Sequence, residues 1–323
     1  MQSLKIGTRE SELAVWQATQ MQSLLQQQGI TAELIFITSE GDTDLVSPLY
    51  EIGVQGIFTK TLDTALLNHR IDIAVHSMKD VPIQLPRGIQ QAAVLERGSY
   101  KDLLVFKDKT VVNGWQINSL LESNVFSPSG NGGIGGVIAT SSLRRKAQWL
   151  HRYPNHTIEN LRGNVNTRLR KLKESKWDGA IFAAAGLERL NLRPEKSIEL
   201  NWMLPAPAQG AIMAVCREDD LISFEACQNF NDADTALCAK VERDFLRTLL
   251  GGCSTPISAL ATIRNDKITL KGNICSVDGK ELTSMERSAA KKDSDQLGTD
   301  AANLLLEDTR AQNIMQTIRN EKS

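Results

Sequence analysis

Leu4-Lys5-Ile6-Gly7-Thr8-Arg9-Glu10-Ser11-Glu12-Leu13-Ala14-Val15-Trp16 passes from a short apolar run through a polar turn into a segment with helical spacing. The spacing predicts a strand at 4–7. A helix over 12–28 follows from Leu13, Val15, Trp16, Met21, Leu24 and Leu25, and it stops before Gly29. Further along, 32–38 reads as a strand, 57–69 as a helix and 71–75 as a β-branched strand. Strand, helix, strand, helix, strand predicts a parallel sheet with right-handed crossovers.

The same order recurs in a second stretch. Residues 137–139 read as a strand, Thr140-Ser141-Ser142 as a helix cap and 143–151 as a helix. A strand at 157–161, a helix at 165–174 and a strand at 179–184 complete the second unit. Two such units predict two α/β domains facing a cleft, and in open α/β sheets the loops at the carboxyl ends of strands line the ligand site. The join at 113–136 is rich in Gly, Ser and Asn and reads as a loop. A strand is expected at 211–216. After it come a helix at 233–250, hairpin turns at Asn265-Asp266 and Asp278-Gly279, and a helix at 294–306. The expected architecture is α/β, with two domains around a cleft and a smaller C-terminal α+β domain. Its divisions are 1–98 with 211–228, then 99–210, then 229–323. The segments 96–101 and 205–211 are the candidate hinges.

Composition narrows the function. The 323 residues are 41% apolar and 23% charged, enough to bury cores. The net charge is -1, from 37 Lys plus Arg against 38 Asp plus Glu, which excludes a globally basic nucleic-acid coat. No apolar run approaches the ~20 residues of a membrane helix, and the first residues lack the features of a signal peptide. The five cysteines, Cys216, Cys227, Cys238, Cys253 and Cys275, fit neither a disulfide framework nor a CxxC site. A reduced, cytoplasmic protein is expected, without metal, membrane or nucleic acid.

Charge is concentrated in one window. Residues 139–173 hold Arg144, Arg145, Lys146, Arg152, Arg162, Arg168, Arg170, Lys171 and Lys173 against a single acid, Glu159. That window carries +8, so the rest of the chain carries -9. Lys171 and Lys173 read as a solvated helix face. Arg144, Arg145, Arg162 and Arg168 sit near strand ends or helix starts, where forked guanidinium groups capture carboxylate or phosphate. Arg9 and Ser11 hold the equivalent place in the first unit, so a polyanionic ligand is expected. Aromatic interleaving is thin (Trp149, Tyr153), which weighs against single-stranded nucleic acid. His76-Ser77-Met78-Lys79-Asp80-Val81-Pro82 follows a buried strand. Asp80 is there either a turn former or a carboxylate set to stabilise a developing cation, and His76 reads as a packed strand-end residue. In Gly251-Gly252-Cys253-Ser254-Thr255-Pro256 the glycines strip cover from the thiol, marking Cys253 as a reactive or modified cysteine. The other four cysteines read as small hydrophobes.

Together these residues resemble the porphobilinogen deaminase (hydroxymethylbilane synthase) family along essentially the whole chain. The resemblance rests on four motifs in order. They are His76 to Pro82, Thr140-Ser141-Ser142-Leu143-Arg144-Arg145, Leu161-Arg162-Gly163-Asn164-Val165-Asn166-Thr167-Arg168, and Glu242-Arg243 followed by Gly251 to Ile257. It implies two periplasmic-binding-protein-like α/β domains and a third that carries the cofactor cysteine. It also implies a monomeric cytoplasmic transferase of haem and tetrapyrrole biosynthesis. Such an enzyme condenses four porphobilinogen molecules with loss of ammonia, then releases hydroxymethylbilane by hydrolysis. Cys253 would hold a dipyrromethane in thioether linkage, and Asp80 would be catalytic. Lys79, Asp80, Ser142, Arg144, Arg145, Arg168 and Gln209 would bind the cofactor. Arg9, Ser11, Ser77, Arg162, Arg168 and Arg189 would hold substrate. The chain departs from the usual pattern at Gln55, Asn160 and Leu250, and in its long glycine-rich 113–136 segment. The alternative expectation is a solute-binding protein for an organic polyanion.

Overall fold

A computed structural model describes residues 3–38, 59–107, 111–112, 115–116, 136–249 and 255–320. The opening stretch folds as its pattern predicts. Strand β1 (Leu4–Thr8) leads into helix α1 (Glu12–Gln27), whose cap is Ser11. Strand β2 (Ala32–Phe36), helix α2 (Lys60–Leu67) and strand β3 (Ile73–Ser77) follow, then β4 (Ile89–Val94). The chain next crosses to the second lobe. That lobe holds β5 (Asp102–Phe106), the short pair β6 (Val111–Val112) and β7 (Trp115–Gln116), β8 (Val137–Ala139), α3 (Leu143–Arg152), β9 (Thr157–Glu159), α4 (Val165–Glu174), β10 (Gly179–Ala183), α5 (Ala184–Glu188) and β11 (Ser197–Glu199). It then returns as β12 (Ile212–Arg217) and α6 (Leu221–Gln228).

The two five-stranded sheets share one plan: β2-β1-β3-β12-β4 in the first lobe and β11-β5-β10-β8-β9 in the second. Neither is purely parallel, which corrects the expectation. β12 runs antiparallel to β3 and β4, and β5 runs antiparallel to β10 and β11. The reason lies in the connectivity. These two strands are reached by crossing between lobes, so they enter their sheets without the helical crossover that enforces parallel direction. The strand expected at 71–75 runs two residues further, because β12 pairs His76 and Ser77 through Met213 and Ile212. The carbonyl of Ile71 is taken instead by Arg217 Nη1 at 2.7 Å. The strand expected at 157–161 stops at Glu159, since the Leu161 amide donates to Ser141 Oγ at 3.0 Å.

The C-terminal domain packs α7 (Ala233–Thr248) on the antiparallel meander β13 (Ile257–Arg264), β14 (Lys267–Cys275) and β15 (Leu282–Ala290), with α8 (Leu297–Leu306) and α9 (Thr309–Asn320). Asn265 and Asp266 both take positive φ, as a two-residue hairpin turn requires. Phe245, Leu249, Ile268, Leu270, Ile274, Ala301 and Ile314 form its core. Cys216, Cys227, Cys238 and Cys275 are buried free thiols, as their apolar surroundings in sequence indicate. Among the described residues, no helix is long and apolar enough to cross a membrane.

The two crossovers lie side by side. Gly98 N donates to Gly210 O at 3.1 Å, and Arg97 Nε donates to Gln209 O at 2.9 Å. Glu242 of α7, fully buried, accepts both Arg97 terminal nitrogens at 2.6 and 3.0 Å and the amides of Ala208 and Ala261. One carboxylate therefore ties both crossovers to the third domain.

Candidate active site

The site grows from strand ends. β3 finishes at Ser77, whose Oγ accepts from Gln17 Nε2 at 2.9 Å, and a single 3₁₀ turn, Met78–Asp80, follows. Arg9, just beyond β1, joins Gln17, Thr59, His76, Ser77 and Asp80 around a small pocket. His76 is buried, and burial, with Arg9 beside it, pushes its imidazole down to about 4. It stays neutral near pH 7 and is the packed strand-end residue the sequence suggests. Ser11 and Ser142 both serve as helix caps, accepting from the amides of Ala14 and Arg145 at 3.4 Å. Their hydroxyls set the first turns of α1 and α3.

From that cap, Arg144 and Arg145 turn inward and are 4% and 6% exposed. Their partner is Asp102, the buried acid that opens β5. Arg144 Nη2 donates to Asp102 Oδ2 at 2.7 Å; Arg145 Nε and Nη2 donate to Oδ1 at 3.1 and 2.7 Å. Arg144 Nη1 reaches Leu204 O at 2.6 Å and Arg145 Nη1 reaches Ile181 O at 3.2 Å. Burial alone would raise the Asp102 pKa, but the two guanidinium groups overcome it and hold the carboxyl below the usual carboxylate range. Gln209 adds a fourth bond, Nε2 to Asp102 Oδ1 at 2.9 Å, and its Oε1 accepts from Lys79 Nζ at 3.3 Å. A continuous polar chain thus runs from the buried arginines of the second lobe to the Asp80 turn of the first.

Asn164 caps α4, and one turn in, Arg168 Nε donates to Gly163 O at 2.7 Å. Burial first, then Arg145 and Arg162, lower its guanidinium to about 10, while Asp80 opposes them. Lys79 is lowered to about 8, chiefly by burial; Arg145 and Arg144 add to this, and Asp80 and Asp102 act against it. These groups sense one another, so the structure brings Lys79, Asp80, Arg144, Arg145, Arg162, Arg168 and Gln209 together, with Arg9 and Ser77 at the pocket on the Asp80 side. Arg189 Nη2 donates to Gly210 O at 2.6 Å, next to Gln209 in the chain, and its guanidinium lies over the Trp16 ring. Gln55, Leu250 and Cys253 lie outside the described residues.

Asp102 is the functional residue that sequence reading misses. Its signal, an acid opening the apolar run Asp102-Leu103-Leu104-Val105-Phe106, gives no hint of partners some forty residues away. Among the described residues, Lys79, Arg144, Arg145, Arg162 and Arg168 gather around Asp80 and Asp102, so positive charge outnumbers negative there. Such an excess calls for an anionic ligand.

The chain matches the family model described as "Porphobilinogen deaminase, dipyromethane cofactor binding domain" over residues 4–223, and the companion C-terminal domain over residues 236–307. It is 41% identical to a porphobilinogen deaminase of Syntrophotalea carbinolica over 94% of this chain and 92% of that protein. It is 38% identical to one of Acidithiobacillus ferrooxidans over 98% and 99%. Among solved structures, the methionine binding protein MetQ is similar at 13% identity over 75% of this chain and 94% of that one, with a TM-score of 0.42.

Proposed function

The chain belongs to the porphobilinogen deaminase family, and from that premise we propose that it condenses four porphobilinogen molecules head to tail and releases hydroxymethylbilane by hydrolysis. The primer would be a dipyrromethane in thioether linkage to Cys253. Its two rings carry four carboxylates, which suits the predominantly cationic surroundings of Asp80 among the described residues. When bound, the dipyrromethane supplies the pyrrole carbon onto which the first unit is joined.

The chain's own residues supply position and charge. Arg145, Arg162, Arg168 and Lys79 hold acetate and propionate groups, each charge-assisted contact contributing ~1.5–3 kcal/mol before desolvation. Arg144, with Asp102, holds Arg145 in place. Asp80 accepts the pyrrole N–H of the incoming porphobilinogen. As the C–N bond breaks, ammonia leaves with the bonding pair and the positive charge left on the pyrrole faces Asp80. A fixed carboxylate stabilises that charge without reorganising. Arg9 and Ser77, on the same pocket, hold the arriving ring. Ser142 and Gln209 would bind the dipyrromethane, and Ser11 and Arg189 would hold substrate; Ser11 and Ser142 also cap α1 and α3, and Arg189 also donates to Gly210 O. We further assign the domains as 1–98 with 211–228, 99–210 and 229–323, in a cytoplasmic monomer.

The observation that carries this reading is the convergence of Lys79 and the buried arginine cluster on Asp80. Its test is the intact mass of purified active protein beside Cys253→Ala. The wild-type chain is expected to be heavier than its sequence by one dipyrromethane, and the variant to show the plain mass. A plain mass for fully active wild type rejects the covalent primer. The solute-binding alternative has a likeness of fold alone and accounts for neither Asp80 nor Cys253.

A further inference from the structure

We propose that Arg243 is a positioning residue for Asp80, acting through the backbone of the turn that carries the carboxylate. The inference rests on the catalytic reading of Asp80 given above. Arg243 lies on α7, is 9% exposed and reaches across to the first lobe. Its Nη1 donates to Met78 O at 3.3 Å and Val81 O at 3.0 Å, and its Nη2 donates to Pro82 O at 2.6 Å. Those three carbonyls bracket Asp80 on both sides.

The turn is also held from its flanks: Met78 and Val81 pack in the first-lobe core, and Lys79 Nζ donates to Gln209 Oε1 at 3.3 Å. Within it, Val81 N bonds Met78 O at 3.2 Å, and Met78 N is tied to Ala211 O at 3.0 Å. A three-residue 3₁₀ turn is weakly bonded by geometry, and Pro82 has no amide to offer. The planar fork of an arginine can span three carbonyls at once, whereas a lysine ammonium is a compact point donor. A carboxylate that must meet developing charge is sensitive to placement, and ~1 Å of error costs on the order of 10²-fold in rate. Helix α7 ends at Thr248, five residues before Cys253 in the sequence. The helix that precedes Cys253 in the sequence therefore grips the turn bearing Asp80.

The test is a double-mutant cycle on the loaded holoenzyme, with loading checked by intact mass: Arg243→Lys, Asp80→Ala and the pair. Arg243→Lys is expected to lower kcat ~10- to 100-fold with KM little changed. In the Asp80→Ala background the same change should have almost no further effect on the residual rate. Hydrogen exchange at the Val81 amide should speed up in Arg243→Lys and in a second variant, Arg243→Gln, which keeps the measurement open if one variant folds poorly. Wild-type kcat in Arg243→Lys, an equal loss in both backgrounds, or a raised KM at unchanged kcat overturns the inference. Undiminished turnover in Asp80→Ala overturns the inference together with the reading of Asp80. A crippled Asp80→Ala beside an undiminished Arg243→Lys overturns the inference alone.

Discussion

Asp102→Asn is the most informative single change. The carboxylate is fully buried and accepts four hydrogen bonds, three of them from two guanidinium groups that are themselves almost wholly buried. The asparagine keeps the shape but removes the charge and turns one acceptor into a donor aimed at a cation. Breaking a buried ion pair from one side costs ~3–5 kcal/mol, because the partner charge is left uncompensated. Against a typical total stability of ~5–15 kcal/mol, that is a large fraction. Denaturant unfolding followed by tryptophan fluorescence reports on it directly, since Trp149 is buried in the same lobe.

The acid limb adds a second reading. The folded Asp102 pKa lies below the unfolded one. Below ~3.9, the unperturbed carboxylate value, the unfolded chain therefore takes up a proton that the native chain refuses. The stabilisation is complete above that value and is lost as pH falls towards the folded pKa. Wild-type stability should drop between about pH 5 and pH 2, and Asp102→Asn should lose much of that slope. A loss under ~1 kcal/mol at neutral pH, with the acid slope intact, would refute the view that Asp102 organises the arginines.

Lys79 is lowered to about 8, so its charge fades as pH rises through that value; KM for porphobilinogen should climb between pH 7 and 9, and Lys79→Arg should flatten the climb. An identical profile in the two proteins would contradict a carboxylate-binding role. Asp80→Ala should stay folded and loaded with anions yet nearly inactive in a steady-state assay of hydroxymethylbilane formation. Gly210 has φ +90, and a Cβ there would lie 2.6 Å from Gly98 O; Gly210→Ala should cost at least ~1–3 kcal/mol in denaturant unfolding, and a neutral result would show the crossovers free to separate.

Short-range pattern carries much of the fold. Leu4 to Ser11 announces a strand and a capped helix because each signal lies within one turn of the next, and Thr140 to Arg145 repeats it. The site residues at strand ends are legible for the same reason: polar residues directly after a buried strand have one place to go. What escapes is long-range. Nothing near Asp102 points to Arg144 and Arg145, and nothing near Glu242 points to Arg97 or to the amide of Ala208. The antiparallel direction of β5 and β12 depends on the chain crossing between lobes, a property of the path and not of any window. Helix α9 is a different case: Ala311, Ile314, Met315 and Ile318 carry helical spacing, although the reading stops at 306.

Charge then connects the fixed scaffold to a growing product. The third domain holds both lobes: Gln148 Nε2 donates to Ser258 Oγ at 2.9 Å, and His151 Nδ1 lies 2.8 Å from Gly279 O on the second, while Arg243 and Glu242 grip the first and its crossovers. Large separation of the lobes would break buried polar contacts on at least one side, each leaving a desolvated group at ~1–3 kcal/mol. On the proposed function, every added ring brings two more negative charges beside the described cations Lys79, Arg145, Arg162 and Arg168, whose number does not change, so self-repulsion within the product grows with each step.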